Sequence, residues 1–181
     1  MLARLVATTL VVLAVATSAG ATGQKDNLQV FRDVQRQVLQ YPHFTIFDSV
    51  SAQVDNGTVT LVGKVTMPYK KNDIERRVSK LPSVERLVNK IEVLPVSQFD
   101  DDLRFRIARA IYSNSNFRPF ATMVNPPIHV IVERGRVTLE GVVNSEVDRM
   151  LARSIASNFL AFGVKNDLKT EAEAKAELER L

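Results

Sequence analysis

The sequence predicts an α+β protein of two tandem αββαβ domains, each a three-stranded mixed sheet with two helices on one face, followed by a C-terminal helical tail. The first observation is an internal repeat: Gly57–Val65 recurs 78 residues later as Gly135–Val143, with six of nine positions identical. The second is the apolar–polar alternation within both copies, which is typical of a half-buried strand. The third is an apolar i, i+4, i+8 spacing in Val30–Val38 that recurs 73 residues later in Leu103–Ile111. This spacing marks one face of a helix.

The first domain is predicted to span residues 26–95. Its hairpin is indicated by Asn56-Gly57, because both central residues of the tightest hairpin turn need positive φ. Pro68 suits the first turn of the second helix, and Pro82 ends that helix. The predicted elements are a helix over Asp26–Gln40, strands over Val50–Val54 and Val59–Val65, a helix from Pro68 to about Lys80, and a strand over Leu87–Leu94. The predicted inward residues of the helices are Phe31, Val34, Val38 and Tyr41, then Ile74, Val78 and Leu81.

The second domain is predicted to span residues 98–169. Asp100-Asp101-Asp102 offers a cap and favourable charge at the start of its first helix. A five-residue insertion falls within about Ala121–Ile128, where Met123 and Val124 either lean on the core or contribute an interface. The predicted elements are a helix over Leu103–Tyr112, strands over Ile128–Val132 and Val137–Val143, a helix that starts at a Ser145/Asp148 capping box and packs Val147, Leu151, Ile155 and Phe159, and a strand over Val164–Lys169. Because each unit is small, we expect the two to pack on each other.

The two ends of the chain are predicted to lie outside these domains. Residues 1–21 combine a basic start, a short apolar run and small residues at Ala19 and Ala21, as in a cleaved signal peptide. The alternative is a retained membrane anchor, and no other stretch is long and apolar enough to cross a bilayer. Residues 170–181 are predicted to form a helical tail that is either solvated or docked. Cysteine is absent, which excludes disulfides, thiolate metal sites and a lipid-modified cysteine.

The repeated hairpin carries a family resemblance. The pattern G-x-V-T-L-x-G-x-V, with Gly57, Gly63, Gly135 and Gly141, resembles the BON domain, and Asn89 fits the strand that closes it. The resemblance covers nearly all of the chain after the signal segment. It implies an exported, periplasmic, non-enzymatic module that binds phospholipid or another envelope surface and takes part in envelope stress or integrity. The motif glycines are implied to serve the fold and not a ligand.

No catalytic, metal or cofactor site is predicted. The only histidines, His43 and His129, have no His, Asp or Glu at metal-ligand spacing. Asp100-Asp101-Asp102 lacks the spaced ligands of a calcium loop, so helix capping is the favoured interpretation. Nucleophile and phosphate-binding motifs are also absent from the sequence.

Two basic surfaces remain as candidate binding sites on a chain with a formal charge of +4. The first interleaves arginines with aromatic rings on one helix, which suits either an anionic phospholipid surface or packing between the two domains. It consists of Arg104, Phe105, Arg106, Arg109 and Tyr112. The second is denser in charge and either attracts anionic headgroups or is a solvated face. It consists of Lys70, Lys71, Arg76, Arg77 and Lys80.

The alternative function is a protein-interaction or chaperone-like module. It would use the groove between the two domains together with the apolar loop Met123–Pro127. Nucleic acid is not an expected partner of an exported protein, and the sequence does not indicate an oligomeric state.

Overall fold

The computed structural model describes residues 19–180, with side chains from residue 27 onward. The first domain contains α1 (Ala19–Leu39), β1 (Ser49–Asp55), β2 (Thr58–Val65), α2 (Pro68–Val78) and β3 (Arg86–Val93). The second contains α3 (Gln98–Ser113), a short 3-10 helix (Arg118–Thr122), β4 (Ile128–Glu133), β5 (Arg136–Val143), α4 (Glu146–Ala156) and β6 (Gly163–Thr170), and α5 (Glu171–Leu178) follows it.

The structure describes the C-terminal tail up to residue 180 but only the end of the predicted signal peptide. The predicted signal peptide lies outside the described residues except for its last three, where α1 begins. Within residues 19–180, none of the helices has both the length and the apolar character needed to cross a bilayer.

Both domains contain the predicted three-stranded mixed sheet. The middle strand pairs antiparallel with the strand before it and parallel with the strand after it, in the orders β1-β2-β3 and β4-β5-β6. The registers are equivalent, since Leu61 faces Ala52 and Asn89 while Leu139 faces Val130 and Asn166. The parallel pair requires a crossover, and α2 and α4 provide it.

Each sheet has its own apolar core. In the first domain Val34, Leu61 and Ile74 are fully buried between α1, α2 and the sheet. In the second domain the buried face of α4 is formed by Ala152 and Ala156, whose small side chains let the helix lie close to the sheet. The predicted inward face of α4 is therefore partly wrong. Leu151, Ile155 and Phe159 pack at the edge of the core, whereas Val147 is 64% exposed.

The second glycine of each hairpin motif allows the backbone of the sheet to come unusually close. Gly63 has φ of 134°, and a Cβ there would lie 2.1 Å from the carbonyl oxygen of Ser49. Gly141 has φ of 120°, and a Cβ there would lie 1.9 Å from the carbonyl oxygen of Pro127. No other residue tolerates both this backbone angle and this contact.

The prediction that the Asp100-Asp101-Asp102 segment caps α3 is wrong. Ser97 is the N-cap of α3, and its hydroxyl accepts from the backbone N–H of Asp100. The buried Asp100 carboxylate instead accepts from the backbone N–H groups of Arg134 and Gly135, at 2.8 and 2.7 Å. It therefore fastens the start of α3 to the β4–β5 turn.

The two domains pack on each other, as predicted. The backbone N–H of Val130 donates to the carbonyl oxygen of Ile46 at 2.8 Å, so the segment before β1 lies along the free edge of β4. The Nδ1 of the neighbouring His129 lies 2.6 Å from the carbonyl oxygen of Asp48. Ile131, on the same strand, is buried and lines a surface pocket together with Lys64 of the first domain.

The insertion and the tail both lie on the surface. Met123 and Val124 do not lean on the core, because Val124 is 94% exposed and Met123 is about half exposed. The tail forms α5, which Thr170 caps through a reciprocal hydrogen bond with Glu173. Arg149 of α4 pairs with Glu173 at 3.0 Å, so an ion pair connects this helix to the second domain.

Candidate functional site

A groove runs along the outer side of α3. It is open to solvent, has a volume of about 580 Å³, and lies between α3 and the segment that precedes β1. Its lining consists of Ile46, Phe47, Phe105, Arg106, Ala108, Arg109 and Tyr112. Four of the five residues of the first predicted basic surface are therefore brought together, and two residues of the first domain complete the groove.

Aromatic side chains form the floor and one wall of the groove. Phe105 is 61% exposed, and its ring makes an edge contact with Phe47, with the ring centroids 4.7 Å apart. Tyr112 is half-buried; its hydroxyl donates to the carbonyl oxygen of Ile128 at 2.7 Å and accepts from the N–H of Ile128 at 3.0 Å. Burial is the main reason that the pKa of Tyr112 rises to about 12. Tyr112 is thus a fixed, neutral wall of the groove.

Two arginines lie at the rim of this apolar surface. The guanidinium of Arg106 lies 5.4 Å from the centre of the Phe159 ring, a cation–π contact. Arg109 is exposed. Among residues 27–180, neither arginine has a carboxylate within ion-pair distance. Both positive charges are therefore available to an anion from outside the protein.

Arg104 does not belong to the groove. It is 4% exposed, pairs with Asp101 at 3.1 Å, and donates to the carbonyl oxygen of Val132 at 3.2 Å. Its predicted place on a contact surface is therefore wrong: it holds α3 to the end of β4. The helical spacing gave its direction around α3 but not the strand that covers it.

Three of the five cations of the second predicted basic surface already have partners within the first domain. Lys70 is buried, and its ammonium group lies 2.6 Å from the Asp48 carboxylate. Arg77 donates to the carbonyl oxygen of Gln37 at 3.1 Å and thereby ties α2 to α1. Arg76 forms an ion pair with Asp73 within α2. In the part of the chain that the structure describes, only Lys71 and Lys80 of this surface lack such a partner.

Sequence reasoning missed two features of the site. Ile46 and Phe47 contribute to the groove from the other domain, and the helical pattern that predicted the first basic surface does not include them. Asp48 is fully buried and organises the turn before β1. Among the described residues, no group of three or more His, Asp or Glu side chains is arranged to hold a metal ion.

The fold defines a class of protein, a tandem of two α+β domains, and the groove gives the second domain an amphipathic, cationic surface. The model of the BON domain family matches residues 28–95 and 99–172, which is well over half of the chain. The chain belongs to the BON domain family, with two copies of the domain. Domains of this family are non-enzymatic binding modules that are associated with envelope- or secretion-related proteins.

Individual proteins similar to this chain give no further indication of its function. No curated protein matches the chain. Two solved structures of CdsD, a structural protein of the type III secretion system of Chlamydia trachomatis, are similar to it at 14% identity. The first covers 83% of this chain and 97% of its own with a TM-score of 0.29; the second, its C-terminal domain, covers 77% and 96% with a TM-score of 0.27. At these TM-scores neither likeness bears on the function of this chain.

Proposed function

We propose that the protein is an exported, periplasmic envelope component that binds anionic phospholipid surfaces reversibly and without catalysis. The observation that carries this proposal is the exposed Phe105 ring beside Arg106 and Arg109, two arginines without a carboxylate partner in the described part of the chain. Aromatic rings favour the depth of lipid headgroups, and the guanidinium fork suits phosphate. The envelope setting and a role in envelope stress or integrity rest on the BON family.

The equivalent face of the first domain provides an internal comparison. At the offset of 73 residues, Phe105, Arg106 and Arg109 correspond to Arg32, Asp33 and Arg36. Asp33 and Arg36 pair with each other at 3.1 Å, and α1 has no aromatic residue at the position of Phe105.

This comparison favours the second domain as the membrane-binding half. A lone exposed arginine is common on protein surfaces. An exposed ring flanked by arginines, present in one copy of a repeat and replaced by an ion pair in the other, is a more specific feature.

The expected affinity is modest. Each arginine near an anionic surface contributes about 1 kcal/mol, and partial burial of one phenylalanine contributes about 2 kcal/mol. A sum of this size corresponds to weak, reversible binding whose electrostatic part falls as salt screens the charges.

Co-sedimentation with liposomes tests the proposal. We expect binding to vesicles that contain phosphatidylglycerol, weaker binding at higher salt, and little binding to neutral phosphatidylcholine vesicles. Arg109→Glu should reduce binding, whereas Arg36→Glu, at the equivalent position of α1, makes the same charge change and should leave most of the binding intact. Equal, negligible sedimentation with anionic and neutral vesicles would reject the proposal.

A second candidate function is protein interaction or chaperone-like binding. It is favoured by the exposed Val124 and Met123, which lie next to the junction between the domains, since the Asn125 side chain donates to the carbonyl oxygen of Leu39 at 3.1 Å. A partner captured from an envelope extract would support this function if Val124→Asp abolished the capture while Arg109→Glu left it unchanged.

A further inference from the structure

The second domain has an exposed apolar tip at the end of its hairpin. Phe99, Leu160 and Phe162 are 54%, 90% and 79% exposed, although all three are large apolar residues. We call these three residues the apolar tip. They come from two segments that both reach the β4–β5 turn, namely the start of α3 and the loop between α4 and β6.

Hydrogen bonds hold the segments of the tip together. Asp100, next to Phe99, binds the backbone N–H groups of Arg134 and Gly135 in the turn. The N–H of Phe162 donates to the carbonyl oxygen of Gly135 at 2.8 Å, and the Phe162 ring lies where a side chain of Gly135 would be. These hydrogen bonds fix the backbone that carries the tip, while the three apolar side chains remain exposed to solvent.

The equivalent end of the first domain is polar. At the offset of 77 residues, Leu160 and Phe162 correspond to Ser83 and Glu85. The geometry is the same in both copies: the N–H of Glu85 donates to the carbonyl oxygen of Gly57 at 2.9 Å, and the Glu85 side chain covers that glycine. The fold thus does not need apolar residues here, since the first domain forms the same turn without them.

Two arginines lie next to the apolar tip, in the β4–β5 turn and at the start of β5. Arg134 and Arg136 are exposed, and neither side chain has a carboxylate partner within residues 27–180. The opposing charges nearby are the exposed Asp102 of α3, and Glu133 and Glu140, which line a surface pocket together with Arg134 and Arg136. In the first domain the residues equivalent to Arg134 and Arg136 are the uncharged Asn56 and Thr58.

The tip is continuous with the groove on α3. Phe159, which carries the Arg106 guanidinium over its ring, directly precedes Leu160 in the chain. The contact between Arg106 and Phe159 thus connects the rim of the groove to the segment that carries the tip.

We propose that the apolar tip inserts into an anionic phospholipid bilayer while Arg134 and Arg136 bind the headgroup phosphates around it. This inference rests on the proposed function and deepens it, because it gives the protein a second, inserted contact in place of binding at the headgroups alone. Apolar side chains flanked by arginines are the composition that enters the interface between headgroups and acyl chains. The charge around the tip selects an anionic lipid surface as its occupant over a neutral apolar partner.

The absence of tryptophan from the sequence makes a direct test possible, because one introduced tryptophan reports only its own position. Leu160→Trp and Phe162→Trp place the probe in the tip, and Glu85→Trp is the matched control at the equivalent position of the first domain. Each variant is mixed with phosphatidylglycerol vesicles that contain lipids brominated along the acyl chain. We expect a blue-shifted, quenched emission from Trp at 160 and 162 and an unchanged emission from Trp at 85.

Co-sedimentation of the same variants separates the two proposals. Sedimentation with the vesicles but no quenching at 160 or 162 would overturn insertion and leave the proposed function standing. No sedimentation at all would overturn both. A blue shift that grows with protein concentration in the absence of lipid would also overturn insertion, because a second copy of the chain would then cover the tip.

A substitution provides an independent measurement. Leu160→Ser removes the most exposed member of the tip without touching the Gly135 contact, so the fold should be preserved. We expect it to lower partitioning into anionic vesicles about tenfold. The matched change Leu28→Ser, at a half-buried position of α1 in the first domain, should leave partitioning within about twofold of the parent protein, while unaltered partitioning of Leu160→Ser would contradict insertion.

Discussion

The buried Asp48 carboxylate should be the most sensitive single site for the stability of the first domain. Its oxygens accept from the backbone N–H groups of Thr45 and Thr66, at 2.9 and 2.8 Å, and from both of their hydroxyl groups. The ammonium group of Lys70 adds a fifth contact at 2.6 Å. One side chain thus joins the turn before β1, the end of β2 and the start of α2.

The magnitude follows from what each substitution leaves behind. Asp48→Ala leaves the Lys70 ammonium, which is 5% exposed, without its counter-ion, and breaking a buried pair in this way costs about 3–5 kcal/mol. Lys70→Met leaves a carboxylate that still accepts four hydrogen bonds from neutral donors, so it should cost less, about 1–3 kcal/mol. Removing both charges in Asp48→Asn/Lys70→Met should cost less than Asp48→Ala.

Urea unfolding followed by far-UV circular dichroism measures these differences, with the midpoint converted to free energy through the slope. A loss of 3–5 kcal/mol is a large part of the 5–15 kcal/mol that is typical of a whole domain, so the first domain should unfold well before the second. The reasoning would be refuted if Asp48→Ala shifted the free energy of unfolding by less than about 1 kcal/mol, or if Lys70→Met were the more damaging change.

Two further predictions concern the domain interface and the hairpin motif. Burial lowers the pKa of His129 below its ordinary value of 6.5, so just below pH 6.5 the unfolded chain binds a proton that the folded chain does not. The free energy of unfolding should therefore fall as the pH drops through this interval; thermal unfolding between pH 5 and 7 should show a smaller slope for His129→Gln, and an equal slope would contradict the assignment. Gly141→Ala should destabilise the second domain by at least about 2 kcal/mol, because its Cβ would clash with the carbonyl oxygen of Pro127, and a urea midpoint like that of the parent protein would count against this.

Most of the fold could be predicted because the chain contains two versions of the same unit. The repeated hairpin fixed the alternation of inward and outward residues, and the offsets located the insertion. The inward face of α4 was harder to predict, because its buried stripe consists of Ala152 and Ala156 and a larger apolar residue, Val147, points to solvent. Periodicity weights large apolar side chains, whereas close packing of a helix on a sheet favours small ones.

The candidate site was less predictable, because it depends on contacts between distant parts of the chain. Arg104 and Lys70 were predicted to be exposed cations from their helical positions, but one packs against β4 and the other is paired with Asp48. Helical spacing gives the direction of a side chain and does not reveal which element covers it. The groove also requires Phe47, which comes from the other domain.

The two copies of the repeat have diverged mainly at their surfaces, and this divergence is the strongest reason to look for function in the second domain. Both copies retain the glycines, the turn and the sheet register that the fold requires. On α1 of the first domain, Asp33 pairs with Arg36. On α3 of the second domain, Phe105 is exposed, and Arg109 has no carboxylate partner among the residues that the structure describes. The first domain forms the same helix and turn without these exposed apolar residues, so the fold alone does not explain them. Contact with an anionic lipid surface is the explanation that we propose for the rings and the arginines together.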